Sequence, residues 1–160
     1  MSVRTYYDEG RPAARPLLPA LNGVYAALAP VGEVLPRVAA GLLLMPHGAQ
    51  KLFGWFGGYG LVGTAQFLGG AGFEPGLFWA TALGSLEFFG GLMLALGLLT
   101  RPVTAAVAVF MAVAVAFHWP AWFWSDGGVE MPLLWGLVAL AYAIRGGGRY
   151  SLDARIGREI

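Results

Sequence analysis

The chain has 160 residues, of which 58% are hydrophobic and only 12% are charged. A soluble domain contains roughly 45–50% apolar and about 25% charged residues, so the apolar surface here exceeds what a small core can bury and must partly face lipid. The net charge of +1 without a basic stripe excludes nucleic-acid binding, and the absence of cysteine excludes disulfides, thiolate catalysis, iron–sulfur ligation and Cys-based zinc sites.

Residues 1–33 are predicted to be a polar N-terminal segment that ends in an amphipathic helix. Apolar side chains between residues 17 and 29 recur at helical spacing. This helix is too short to cross a bilayer, so we expect it to lie in the membrane interface. The residues that form its apolar stripe are Leu17, Leu18, Leu21, Val24, Tyr25 and Leu28.

Four longer apolar stretches follow, over residues 34–53, 75–99, 102–123 and 131–144. The first three reach the ~20 residues that a bilayer core requires, and the fourth is shorter. Residues 34–145 are therefore predicted to form an all-α membrane domain, a bundle of four transmembrane helices. A Gly-rich outer loop at residues 54–73 could hold one helical turn or more at 64–68. Residues 146–160 are predicted to be a basic cytoplasmic tail.

The arginines predict the orientation of this bundle. If four spans alternate across the membrane, every arginine falls on the side of the N-terminus, and only Lys51 lies near the other side. Cytoplasmic loops carry the excess of basic residues, so both termini are predicted to be cytoplasmic. The arginines are Arg4, Arg11, Arg15, Arg37, Arg101, Arg145, Arg149, Arg155 and Arg158.

Ionisable groups inside the spans are the candidates for chemistry, because they are costly to bury and need partners. Glu87 falls near the middle of the second span, and His47 and Lys51 lie four residues apart on one face of the first, beside Gln50. We expect Glu87 to meet one of these three groups where the first two helices pack. The alternatives are that Lys51 extends to the headgroups and that a protonated Glu87 bonds a backbone carbonyl. Small residues that would let the helices approach are Gly84, Gly90, Gly91 and Gly97.

Two histidines allow other cofactors to be considered. His118 ends the third span at nearly the depth of Lys51, so His47 and His118 could in principle ligate a b-type haem. A zinc site would need Glu87 or Glu130 as a third ligand. Nothing else in the sequence supports either site, and no nucleotide-binding motif is present. No convincing haem, metal or nucleotide site is therefore predicted.

Two blocks of sequence resemble the DoxX family of small four-helix bacterial membrane proteins. The first runs from Gly41-Leu42-Leu43 through His47-Gly48 to Lys51-Leu52-Phe53, and the second from Glu87-Phe88-Phe89-Gly90-Gly91 to Thr100-Arg101. The resemblance covers roughly residues 34–145. It implies a multipass protein of the bacterial inner membrane, and some relatives are linked to quinone-coupled oxidation, such as the small subunits of thiosulfate:quinone oxidoreductase.

The leading hypothesis is a quinone-linked oxidoreductase subunit, or a quinone-binding accessory protein, that works with a protein partner or as a homo-oligomer in the bilayer. Glu87, His47 and Lys51 would bind or protonate the ring oxygens, since a quinol releases two protons on oxidation. The remaining candidate contacts to the cofactor are Gln50, Trp55, Phe56, Trp79, His118 and Trp119.

Two other functions are open on the same sequence. The chain could be a non-catalytic structural or assembly subunit of a larger membrane complex, with its Gly-rich helix faces packed on partner helices. It could also be a small-solute permease, which four short helices would form only as an oligomer.

Overall fold

The computed structural model describes residues 17–158, and every regular element within that range is helical. The chain divides into two compact units between Pro30 and Val31. In the first unit, the described residues form a 3-10 turn, Pro19–Leu21, and the beginning of helix α1, Asn22–Phe53. Proline at the start of the turn suits this position, because its missing N–H would have no helical partner there. The large apolar side chains among the described residues of this unit, from Leu17 to Leu28, are exposed.

Helix α1 joins two segments that the sequence predicts as separate elements. The amphipathic helix expected at residues 17–29 is not confirmed as an independent interfacial helix, because the α-helix continues from Asn22 to Phe53 without a break. Helix α1 ends where Gly54 adopts a left-handed conformation, with φ of 70°. Glycine reaches that region without a steric penalty, so it is the usual residue after a helix end.

The glycine-rich segment after α1 contains a helix that includes residues 64–68, where one turn or more is predicted, and extends beyond them on both sides. Helix α2 spans Gly60–Gly70 and packs on the start of the next helix, where Gly76 lies against the backbone of Ala65. Helix α3 spans Gly76–Leu96 and begins directly after Pro75. Its middle turn, Leu86–Gly90, has π-helical geometry. Gly97, with φ of 70°, ends α3.

The remaining helices form an antiparallel pair and a short C-terminal helix. Helix α4 spans Thr100–His118 and packs along helix α5, Glu130–Arg145. Helix α6 spans Leu152–Ile156, and Ser151 is its N-cap residue. The Ser151 hydroxyl accepts a hydrogen bond from the Ala154 amide at 3.1 Å. Such N-caps satisfy an amide that would otherwise have no partner in the first turn.

The core is small and most apolar side chains point outward. Leu44 of α1, Val107 and Met111 of α4, and Ala139 of α5 form the buried cluster. Three helices are long and apolar enough to cross a membrane, Pro19–Phe53, Gly76–Leu96 and Thr100–His118. Their exposed leucines, valines and phenylalanines provide the surface that contacts lipid. Helix α5 has only 16 residues, so a fourth span remains a prediction.

Candidate functional site

Glycines let the backbones of α1 and α3 approach closely. A Cβ atom on Gly91 would lie 2.7 Å from the Gly41 carbonyl oxygen, and one on Gly48 would overlap the Phe88 backbone. A Cβ atom on Gly84 would lie 2.7 Å from Leu52 Cγ. Small residues have this role in membrane helix pairs, where packing rather than the hydrophobic effect drives association. The approach predicted for Gly84 and Gly91 is confirmed.

The other two glycines of the predicted set have different neighbours. A Cβ atom on Gly90 would meet Val103 of α4 at 3.4 Å, so this glycine serves the contact between α3 and α4. Gly97 lies against the guanidinium of Arg37 and the side chain of Ser151. It therefore makes room for a polar cluster at the end of the bundle.

Lys51 and Glu87 meet across the α1–α3 contact. The Lys51 ammonium donates a hydrogen bond to Glu87 Oε2 at 2.6 Å, and the side-chain exposures are 27% for Lys51 and 5% for Glu87. Of the three partners that the sequence allows for Glu87, the structure selects Lys51. The ammonium points at the carboxylate, in place of the extended path to the headgroups that was the alternative for Lys51.

The carboxylate stands on the π-helical turn of α3. Glu87 is the second residue of the segment Leu86–Gly90, where the helix widens by one residue. Widened turns of this kind are rare inside α-helices and occur frequently at functional sites. The turn sets Glu87 against α1 while Gly90 faces α4. This geometry has no signal in the hydrophobic pattern, so sequence analysis did not predict it.

His47 and Gln50 lie on the same turns of α1 but contact other groups. The His47 ring packs edge-on against Trp135 of α5, with centroids 5.5 Å apart, and only its backbone carbonyl approaches Lys51 Nζ, at 3.5 Å. The Gln50 amide donates to the Phe56 carbonyl at 3.3 Å and so holds the turn after α1. Neither side chain contacts Glu87 in the structure.

The predicted aromatic contacts fall into two groups. Trp55 packs on Phe53, which in turn packs on Phe88 beside Glu87, with centroid distances of 5.1 and 5.4 Å. Trp79 instead packs on Phe73, which contacts Phe117 next to His118. Phe56 and Trp119 are both exposed. In the described residues, no ring contact or hydrogen bond links Trp79, His118 or Trp119 to the Lys51–Glu87 pair.

A second polar cluster, which sequence analysis missed, joins the C-terminal segment to the bundle. Asp153 is buried and its carboxylate accepts hydrogen bonds from the Leu99 amide at 2.7 Å, the Thr100 amide at 2.9 Å and the Thr100 hydroxyl at 2.7 Å. Leu99 has a left-handed conformation, with φ of 46°, that a leucine rarely adopts. Asp153 therefore holds the tight α3–α4 turn in place.

Arg37 of α1 belongs to the same end of the bundle. Its guanidinium is fully buried and donates to the carbonyls of Leu94 and Ala95, both at 2.8 Å, and of Tyr150 at 3.3 Å. One turn earlier, Glu33 pairs with Arg149 at 3.6 Å. The available signal was Glu33 and Arg37 at four-residue spacing within an apolar stretch, but the sequence does not indicate their partners, which lie between 57 and 116 residues away.

Among the described residues, no three His, Asp or Glu side chains are grouped closely enough to hold a metal ion. Two surface pockets also lie away from the Lys51–Glu87 pair. One, of about 490 Å³, lies between α2 and the start of α3 near Gln66 and Glu74. The other, of about 450 Å³, includes Arg37 and residues of the C-terminal segment.

These features define a helical membrane protein with one ion pair buried between its first and third helices. The chain belongs to the DoxX family, whose model matches residues 19–119. That match begins earlier than the resemblance noted in the sequence, so it includes nearly all of α1, and it ends directly after α4.

A curated relative is the Bacillus subtilis (strain 168) protein named "Putative oxidoreductase CatD", which is 32% identical over 85 residues. The aligned region covers 53% of this chain and 58% of the relative. No solved structure matches the chain.

Proposed function

We propose that this DoxX-family protein serves redox metabolism in the bacterial inner membrane and binds a quinone at the Lys51–Glu87 pair. It would act as a subunit of a quinone-linked oxidoreductase or as its quinone-binding accessory. The observation that carries the proposal is the 2.6 Å ion pair, placed on a π-helical turn within an apolar helix contact. The name of the Bacillus relative points to the same class of chemistry.

The hydrogen-bonding capacity of the pair suits a ring that carries two oxygens. Lys51 has three N–H donors, of which one goes to Glu87 and one approaches the His47 carbonyl at the long distance of 3.5 Å. Glu87 Oε1 accepts no hydrogen bond from the described residues. A donor and an acceptor therefore remain for a ligand, and they can bind a quinone carbonyl and a quinol hydroxyl respectively.

The pair can also handle protons. A bound quinone supplies two-electron, two-proton chemistry. When a bound quinol is oxidised and gives its two electrons to an external acceptor, Glu87 would take its two protons one after the other at Oε1 and release each to water, and Lys51 would keep its charge and stabilise the carboxylate between the two transfers. The chain contains no cysteine, and we assign the electron transfer to a partner protein or a soluble substrate.

We propose a smaller set of side chains as those that would flank the ring. Phe53 and Phe88 pack on each other beside Glu87, and Trp55 extends this group. Trp79, His118 and Trp119 are separated from it, so we assign them to the membrane border, where tryptophans are common. The ring of His47 could join the site only by leaving Trp135.

Co-purification tests the proposal directly. The protein is purified in mild detergent, and bound quinone is extracted and quantified for the native chain, Glu87→Gln and Lys51→Met. Glu74→Gln is the matched control, since Glu74 is exposed and caps the first turn of α3 by accepting from the Gly76 amide. We expect quinone in the native chain and the control, and its loss in both site variants. As a second measurement, a short-chain ubiquinone is titrated into the native chain while tryptophan fluorescence is recorded. If no quinone co-purifies with the native chain and the fluorescence does not change, the proposal is overturned.

A non-catalytic assembly subunit is the second candidate, and the exposed beginning of α1 favours it. Leu17, Leu18 and Leu28 are all exposed on the described part of the first unit. Apolar patches of this kind mark contacts with a membrane or with another protein. A stoichiometric partner that stays bound in Glu87→Gln, in a preparation without quinone, would support this function over the first.

A further inference from the structure

A pocket of about 450 Å³ opens at the end of the bundle where the C-terminal segment packs. Three arginines contribute to its lining: Arg37 from α1, Arg149 from the loop after α5, and Arg155 from α6. Apolar side chains of α1 and α3 complete one wall, among them Val34, Val38 and Leu96. The pocket is therefore basic on one side and apolar on the other.

Arg37 is the fixed part of this pocket. It is 1% exposed, and its terminal nitrogens donate only to uncharged backbone carbonyls, while its Nε atom is buried without a hydrogen-bond partner. Within residues 17–158, no carboxylate lies within 4.0 Å of its guanidinium. A buried charge without a counter-ion in direct contact is unfavourable, so this side of the pocket attracts an anion.

The two other arginines can complete the contact with an anion. Arg149 pairs with Glu33 at 3.6 Å and lies over the Tyr150 ring, whereas Arg155 is exposed and forms no ion pair with the described residues. Glu33 and Asp153 attract Arg37 at longer range, but neither lines the pocket. Guanidinium groups bind phosphate through paired N–H donors, and Arg is the residue best suited to this geometry.

The apolar wall decides which phosphate fits. Leu96 lines the pocket and is exposed, on a helix that carries part of the lipid-facing surface. A free phosphate would leave this wall uncovered, whereas the first methylenes of an acyl chain would cover it. The geometry points to a binding site for the phosphate of an anionic phospholipid, with the exposed Arg149 and Arg155 in contact with the headgroup, the buried charge of Arg37 behind it and the acyl chains along α1 and α3.

This site is separate from the Lys51–Glu87 pair. Lys51 follows Arg37 by fourteen positions in α1, which corresponds to about 21 Å along the helix. Basic pockets between membrane helices are known to hold anionic headgroups on the cytoplasmic side. That is the side predicted for this end of the bundle from its arginines, and the lipid would hold the C-terminal segment against the membrane.

Native mass spectrometry on the delipidated, full-length protein tests the inference. Phosphatidylglycerol and phosphatidylcholine are titrated separately into the native chain, Arg149→Gln, Arg155→Gln and the double variant. We expect phosphatidylglycerol to bind more tightly than phosphatidylcholine, and its affinity to fall about fivefold for each arginine removed. Arg158→Gln is the matched control, because Arg158 is exposed and does not line the pocket.

Three outcomes would overturn the inference. Equal affinity for the two lipids would show that charge has no role. If the double variant and the Arg158→Gln control bind phosphatidylglycerol with equal affinity, the lipid binds outside this pocket. Complete displacement of bound phosphatidylglycerol by inorganic phosphate would show that the ligand is a free anion and not a lipid. Arg149 and Arg155 are used because both are exposed, so their replacement leaves the buried contacts of Arg37 intact.

Discussion

Lys51 and Glu87 stabilise each other in a place where neither would be stable alone. Glu87 is almost fully buried, and the described residues give its carboxylate a single hydrogen bond, from the Lys51 ammonium. Removal of one member of a buried pair leaves an uncompensated polar group, whereas removal of both can be nearly neutral. The pair therefore contributes to stability in a way that single and double variants can separate.

We expect Lys51→Met to lower the free energy of unfolding by about 3–5 kcal/mol, because Glu87 is left without its partner. The double variant Lys51→Met with Glu87→Gln should recover more than half of that loss. Thermal unfolding of the purified chains in one detergent, followed by circular dichroism, gives the comparison. Equal stability of the single and the double variant would show that the two side chains do not interact.

The sequence predicts this pair only in part. An acidic and a basic group inside neighbouring apolar stretches must find partners, so a meeting of Glu87 with the His47–Lys51 face could be expected. Helical spacing places His47 on that face but does not fix its χ angles, and its ring lies against Trp135. The positions of Trp79 and His118 depend on how α2 and α4 pack, which no local pattern records.

At the scale of elements, glycine positions decide how α1 and α3 meet. Gly48 faces the backbone of Phe88 and Gly84, so any side chain there must push the two helices apart. Gly32 lies in the same helix, and a Cβ atom built on it has no neighbour within 4 Å. Both glycines lie in the same helix, but only Gly48 has another helix packed against it. Gly32 is therefore a matched control for substitutions at Gly48.

Gly48→Ala is expected to destabilise the protein by about 1–3 kcal/mol through overpacking. Gly32→Ala should be neutral or stabilise by up to about 1 kcal/mol, because alanine is the better helix former. Chemical denaturation in a fixed detergent provides both values. A Gly48→Ala protein as stable as Gly32→Ala would mean that the α1–α3 contact is looser than the structure shows.

The C-terminal segment is an element that the sequence presents only as a basic tail. Asp153 binds two amides and a hydroxyl of the α3–α4 turn, and Ser151 starts the short helix that presents it. The sequence does not indicate the contacts of Asp153, because Leu99 and Thr100 are more than 50 residues away from it.

The continuous helix α1 was also not predicted, since Pro30 and Gly32 both disfavour a helix and yet lie inside it.

Asp153→Asn should release this segment from the bundle. An amide has one acceptor oxygen in place of two, so at least one of the three hydrogen bonds is lost, at a cost of about 1–3 kcal/mol. We expect trypsin to cleave at Arg149 and Arg155 faster in this variant. Asp126→Asn, in the exposed 3-10 turn Trp124–Asp126, is the control and should leave the cleavage rate unchanged. A native cleavage rate in Asp153→Asn would argue against the docking.

At the scale of the whole molecule, the segments at the two ends of α5 contact the segments at the two ends of α4. The first residue of α5, Glu130, donates its amide to the Trp122 carbonyl at 3.1 Å, in the loop that leaves α4. After its last turn, the chain reaches Asp153 and the turn where α4 begins. Helix α5 is about 24 Å long, short of the ~30 Å hydrocarbon core, yet it joins the same two ends as the longer α4.

We therefore expect α5 to be a fourth span and both termini to be cytoplasmic, with Gln66 of α2 and Ser125 outside. The native chain has no cysteine, so single cysteines report the side of each position without background. A membrane-impermeant maleimide should label Gln66→Cys and Ser125→Cys in intact spheroplasts, and should label Arg158→Cys only after lysis. All three positions are exposed, so lack of labelling cannot come from burial. Labelling of Ser125→Cys and Arg158→Cys under the same condition would mean that α5 does not cross, and an inverted pattern would mean that the arginines do not set the orientation.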